Sequence, residues 1–350
     1  PSLFEIKEMH TTMQALGRFA VIGGSFLVAI LNVALFSDVN DLSEDSKRGV
    51  YASVYLYALL IPFISITGVI LGHYINYQPG REVLIKSRVR PNWGIINGSI
   101  AFVIFTVSVG SLDIPFAQEL VFLGSMAIIL YLMNQLLCYL PSNKRLMIVG
   151  TAIAIFIFRA VPTPGPGLTW FEIDVLLFDE HFLSVLAAIS TSLTLVGIIL
   201  LRPFVASCSI AEVIVFLSVV GGILFLPTIG LYYGIHHWTS SITGGLVDAR
   251  FIAILNTALE SPLGQISMIP MLAWIAKNAP MELKATFFAV FASFTNLALS
   301  GSALTTKYLN LVFEVTREVS NRSNDQILTQ ANYSELGMLL TVVAVITVFV

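Results

Sequence analysis

What the chain has least of is charge. Asp, Glu, Lys and Arg make up 11% of its 350 residues, against roughly a quarter in an average soluble domain. The formal net charge is −3, and no basic patch is interleaved with aromatics in a polar region, which excludes nucleic acid as a partner. Cysteine is nearly absent: Cys138 and Cys208 are the only two. Both read as small apolar residues on a reducing face, so no disulfide framework is expected. Also missing are a phosphate-cradling loop followed by lysine, a nucleophile elbow and the paired helical histidines of a metalloprotease. The adjacent His236 and His237 have no acidic or cysteine partner at ligand spacing. The residues therefore point to no enzyme, no metal and no cofactor.

What the chain does have is apolar surface. Hydrophobic residues make up 56% of it, with a mean hydropathy of +0.86, spread along its whole length. Most of the molecular surface must then face the lipid bilayer. About 20 apolar residues cross the hydrocarbon layer, and ten segments qualify: roughly 13–36, 50–75, 94–112, 116–140, 146–161, 182–201, 210–233, 246–276, 282–304 and 333–350. The expected fold is an all-α polytopic, multi-pass membrane protein of about ten spans. No charged, apolar and cleavable leader opens the chain. It starts at Pro1 and closes inside TVVAVITVFV, so both ends are expected to be cuts.

The loops orient the bundle. Lys7, Arg81, Lys86, Arg88, Arg90, Lys144, Arg145, Arg202, Lys277 and Lys284 fall in alternate loops. Only Lys47, Arg48, Lys307, Arg317 and Arg322 fall opposite, beside the acidic runs SDVNDLSED and DVLLFDE. Basic residues gather on the cytoplasmic side, which places both ends in the cytoplasm, in a plasma or bacterial inner membrane. Asn321 and Asn332 lie in glycosylation sequons on the outer side.

A charge at mid-bilayer costs about 2.5–3.5 kcal/mol on insertion scales and is a functional candidate by default. The eighth segment, LVDARFIAILNTALESPLGQISMIPMLAWIA, carries most of them. As a straight helix it would span ~46 Å, more than the ~30 Å core. Asp248 and Arg250 then fall at the outer interface as a latch or gate, and Glu260 falls near the midplane. Asn256 and Glu260, four residues apart, share a face. Pro262 frees the carbonyl of Ala258. The pattern predicts a broken helix lining a cavity, where Glu260 either couples transport or binds substrate, or is a structural charge bonded to a neighbour. Arg159, at the outer end of the fifth segment before PTPGPG, either snorkels or offers its planar fork to an anion. Arg18, one turn inside the first segment, is expected to snorkel. The ninth segment carries small residues at Ala285, Ala289, Ser293, Asn296, Ser300 and Ala303, one helical face suited to close packing. The Asn296 amide needs a partner and could touch substrate.

Three stretches carry a resemblance: FIFRAVPTPGPGLTWFEIDVLLFDEHFLSVL (156–186), GGLVDARFIAILNTALESPLGQISMIPMLAWIAKNAP (244–280) and KATFFAVFASFTNLALSGSALTTKYLN (284–310). Together they resemble the folate–biopterin transporter family of the major facilitator superfamily around its seventh, tenth and eleventh helices. The P-L-G-Q-x-S-x-x-P run is the most specific part. The match is good over 146–350 and fainter over 13–75, which is similar to the family's fifth and sixth helices. The resemblance implies residues 1–75 as the end of an N-terminal lobe and 76–145 as a basic cytoplasmic loop plus an inserted two-helix hairpin. Residues 146–350 would be a six-helix C-terminal lobe with its last helix truncated. It implies alternating access, a folate- or pterin-like substrate and proton symport. Arg159 would meet the carboxylates, and Asn296, Gln265 and a carboxylate the pterin. Two rival readings keep the fold: a carrier for another small organic anion, and a non-transporting assembly or pigment-delivery factor.

Overall fold

The computed structural model describes residues 6–37, 39, 44–76, 93–112, 114–264, 268–279, 284–320 and 327–350. Seven helical stretches among them are long and apolar enough to cross a membrane: Gln14–Phe36, Ser46–Ile75, Trp93–Gly110, Ala117–Leu137, Glu180–Leu201, Ile210–Tyr232 and Ala285–Val312. The chain is an all-α polytopic membrane protein.

The helices begin and end for local reasons. Helix α1 (Ile6–Phe36) runs unbroken. Helices α2 (Glu44–Ala58) and α3 (Leu60–Asn76) form one bent span, because Pro62 has no N–H for the carbonyl of Ala58. Helices α4 (Trp93–Gly110) and α5 (Ala117–Leu137) form a hairpin. Helix α6 (Ser142–Arg159) stops before PTPG, and the short α7 (Pro166–Asp174) follows. Helix α8 (Glu180–Ser207) is capped by Asp179, whose carboxylate accepts from the Phe182 amide at 2.7 Å. In α9 (Ile210–Leu224), Ser209 and Glu212 satisfy each other's amides. Short helices α10 (Leu226–Tyr232) and α11 (Ile235–Ile242) lead to α12 (Ala249–Glu260), a 3-10 turn at Ser261–Leu263, and α13 (Met268–Asn278). Helix α14 (Lys284–Val312) precedes a two-stranded hairpin, β1 (Val319–Ser320) with β2 (Ile327–Thr329), and the final α15 (Leu336–Phe349).

Of the ten expected segments, three depart from a single long apolar helix. The fifth is α6, whose 18 residues include Lys144, Arg145 and Arg159. The eighth is the broken pair α12 and α13. The last is α15, with 14 residues.

The main core joins α5, α6, α13 and α14. Leu136, Ile148, Ile275, Phe287 and Phe291 are fully buried there, and the two phenylalanine rings stack at 4.3 Å. Helix α1 lies along α8 and α13, and the α4–α5 hairpin packs on α14 through α5. The bent α2–α3 span buries none of its most apolar stretch. Phe171 of α7 packs with Val315, Leu336, Leu339 and Leu340. Arg317 and Tyr333 tie the same region to Asp174, at 2.9 and 2.6 Å.

Candidate functional site

Hydroxyl-bearing side chains on α14 hold the PTPG stretch in place. Ser302 Oγ donates to the carbonyl of Val161 at 2.7 Å, and Thr306 Oγ1 donates to that of Thr163 at 3.0 Å. Thr306 also accepts from the Thr163 amide at 3.0 Å, and Asn310 Nδ2 donates to the carbonyl of Pro164 at 3.1 Å. Non-helical backbone survives inside a membrane only where protein satisfies its polar groups, and here one helix does so. The stretch therefore runs alongside α14.

This registers Arg159 against α14. Its neighbour Ala160 lies beside Gly301, three residues past the middle of α14, or ~4 Å of rise. Arg159 is the last residue of α6, at the end of the fifth segment. Helix α1 begins at Ile6, not near residue 13, because its polar first turns continue the helix beyond the apolar run. The apolar stretch of α1 is Gln14–Phe36, so Arg18 lies one turn inside it, as expected.

The second break is held by α8. Thr194 Oγ1 donates to the carbonyl of Ser261 at 2.9 Å, and Ser261 Oγ donates to Ser190 Oγ at 3.0 Å. Gly197 lets the Pro262 backbone approach so closely that a Cβ would overlap it. The break predicted at Pro262 is therefore present, docked against α8. Glu260, on the turn before it, is exposed and makes no hydrogen bond or ion pair among the described residues. Asn256 reaches Thr228 at 3.5 Å and leaves its oxygen buried without a partner. Gln265 lies outside the described residues. Asp248 and Arg250 do not pair with each other. Asp248 caps α12, accepting from the Phe251 amide at 2.8 Å. Arg250 meets Asp179 at 3.3 Å and covers the Phe182 ring at 5.1 Å.

A cavity of about 1040 Å³ opens between α4, α5 and α14. Its walls are apolar and aromatic on the hairpin side, from Phe102, Phe116 and Phe122. On the α14 side they are polar and small, from Ser293, Asn296, Ser300 and Ala303. The small-residue stripe of the ninth segment, expected to pack against a helix, is exposed instead. The phenylalanines on the other side of α14 take the core, which leaves the stripe as a cavity wall. The cavity spans α14 from Ser293 to Lys307, ~21 Å at the helical rise, ending near the C-terminus of that helix. At that end Glu119 accepts from Lys307 Nζ at 2.8 Å and from the Tyr308 hydroxyl at 2.7 Å, and its second oxygen is buried without a partner.

Sequence reasoning brought Asn296 to this cavity and missed Glu119, which looked like one carboxylate at the start of an apolar run. It also missed Glu172, on α7 outside the spans. Burial raises its carboxyl to about 7. Its neighbour Asp174 is held below its ordinary range by Arg317 and then Tyr333. Among the described residues no group of three His, Cys, Asp or Glu is placed to hold a metal ion.

Comparison with known proteins adds three findings. The model of the BT1 family matches residues 9–350. A folate-biopterin transporter from Synechocystis sp. is 25% identical over 144 residues, which is 41% of this chain but 28% of that relative's length. No solved structure matches the chain.

Proposed function

The chain belongs to the BT1 family, and on that premise we propose that it is a secondary active transporter of the major facilitator type. It carries folate- or pterin-like organic anions by proton-coupled alternating access. The observation that carries this reading is the cavity running from the outer end of α14 to Asn296. Its volume of about 1040 Å³ matches the upper end of the roughly 300–1,000 Å³ typical of ligand pockets. One wall is aromatic, suited to a flat heterocycle, and the other offers an amide and two hydroxyls.

In this reading residues 1–75 end an N-terminal lobe and 146–350 form the C-terminal lobe, with the hairpin inserted between them. The packing of α1 along α8 and α13 supports a lobe interface there. Both ends face the cytoplasm of a plasma or inner membrane. Glu260, a carboxylate without a partner beside a helix break, is the coupling group, and the Arg250–Asp179 pair is an outer latch.

The test is exchange of labelled folic acid across proteoliposomes. The unaltered protein exchanges it, and Asn296→Trp, which fills the midplane end of the cavity, lowers the rate at least about tenfold. Exchange that survives Asn296→Trp at full rate contradicts the cavity as the route.

A further inference from the structure

Among the described residues, Glu119 and Lys307 are the charged pair that lines the cavity, and each has bonding capacity left over. Lys307 Nζ and the Tyr308 hydroxyl both donate to Glu119 Oε1, at 2.8 and 2.7 Å. Glu119 Oε2 is buried and has no partner among the described residues. An ammonium carries three N–H donors, and Lys307 gives one of them to Glu119. Its side chain stays 41% exposed, so the other two can reach a bound molecule. A buried acceptor left unpaired costs about 1–3 kcal/mol, a cost that a donor from a ligand removes.

The charges decide what kind of ligand fits. The pair is neutral as a whole. A carboxylate brought to Lys307 also meets Glu119, and an ammonium brought to Glu119 also meets Lys307, so each is repelled by the second member. A neutral edge that sets an acceptor beside donors satisfies both. Phe122, three residues past Glu119, is on the same face of α5, and Phe116 directly precedes that helix; both line the cavity. A flat ring stacked on these aromatics brings its edge to the pair.

One part of a folate or pterin has such an edge. The pyrimidinone half of the pterin ring carries a carbonyl, then a ring N–H, then an exocyclic amine. We propose that Glu119 and Lys307 recognise this edge: Lys307 donates to the carbonyl, and Glu119 Oε2 accepts from the ring N–H and the amine. The inference rests on the transporter reading for the identity of the solute, and it makes Glu119 the residue that selects for the amine.

The experiment measures binding of folic acid, pterin and lumazine, up to millimolar concentration, by the protein in nanodiscs of phosphatidylcholine. Lumazine keeps the carbonyl of pterin and has an oxygen in place of the amine. The unaltered protein should bind pterin at least about tenfold more tightly than lumazine. Glu119→Gln keeps an oxygen for Lys307 and Tyr308, so the tie between α5 and α14 survives, but its amide can donate to the lumazine oxygen. The preference for pterin should therefore fall at least about tenfold, to parity or below. Lys307→Met should weaken pterin and lumazine alike, and a loss confined to one of them contradicts its place on the carbonyl. No preference in the unaltered protein overturns the site. So does a preference that Glu119→Gln leaves in place, because the pair would then only tie two helices. The two readings fail separately. Folic acid bound without dependence on Glu119 leaves the transporter and removes this site. A Glu119-dependent preference for pterin, without exchange of folic acid or biopterin across proteoliposomes, keeps the site and removes the transporter reading. Binding of none of the three removes both.

Discussion

The two broken helices of this bundle solve one problem in two ways. Both breaks follow from proline, and both leave backbone groups that lipid cannot satisfy. At the PTPG stretch, Ser302, Thr306 and Asn310 of α14 form a ladder of hydrogen bonds along four residues. At Ser261–Pro262, α8 offers a smaller clasp: Thr194, Ser190 and the bare face of Gly197. The charges beside them differ as well. Arg159 ends α6 with Nη1 buried and without a hydrogen-bond partner, whereas Glu260 is exposed and makes no hydrogen bond or ion pair among the described residues. The first break is tied down by more hydrogen bonds than the second.

Substitutions at the clasps should separate these roles. The largest loss is expected from Gly197→Leu, because a side chain there meets Pro262 backbone instead of a movable side chain. Overpacking of this kind costs about 3 kcal/mol, read as a lower thermal midpoint in detergent. Gly150→Ala, where a Cβ meets open space, should leave the midpoint unchanged. Next comes Thr306→Val, which strips both the donor to Thr163 and the acceptor of its amide and costs about 2 kcal/mol. Thr194→Val removes one interhelical bond and should cost about 1 kcal/mol. If the two threonines prove equal, the contrast between ladder and clasp is lost.

A smaller effect concerns pH and the outer layer. Folding raises the Glu172 carboxyl from 4.5 to about 7, so the folded state holds its proton more tightly than the unfolded chain. Stability from this group is therefore greatest below about pH 4.5, falls between pH 4.5 and 7, and is level above. The total loss is at most about 3 kcal/mol. Glu172→Gln should flatten that slope in pH-dependent melting. An unchanged slope would show that Glu172 is solvated.

Local chemistry made part of this legible in the sequence, and packing between distant segments was the part it hid. Pro262 announces a break because the missing N–H is a property of one residue, and the periodicity of the α14 stripe follows from the helix alone. Which side of α14 packs is decided elsewhere: Phe287, Phe291 and Phe294 find α6 and α13, and the small residues are left facing the cavity. Apolar runs mark where hydrocarbon begins, but α1 extends past its run. The chain after Arg159 stays beside α14 without being helical, held by residues 141 and 143 positions away. Glu119 and Lys307 meet across a still longer separation of 188. The family, in contrast, was readable, because the SPLGQ run combines the break with its flanking polar residues in one short segment.

The central claim is that Glu260 couples movement of an anion to protons. The most direct measurement compares Glu260→Gln with the unaltered protein in proteoliposomes, once with an inward proton gradient and once as exchange at equal pH. The account predicts that gradient-driven accumulation of folic acid is lost in the variant while exchange continues at a comparable rate. Accumulation by Glu260→Gln at the unaltered rate would contradict it.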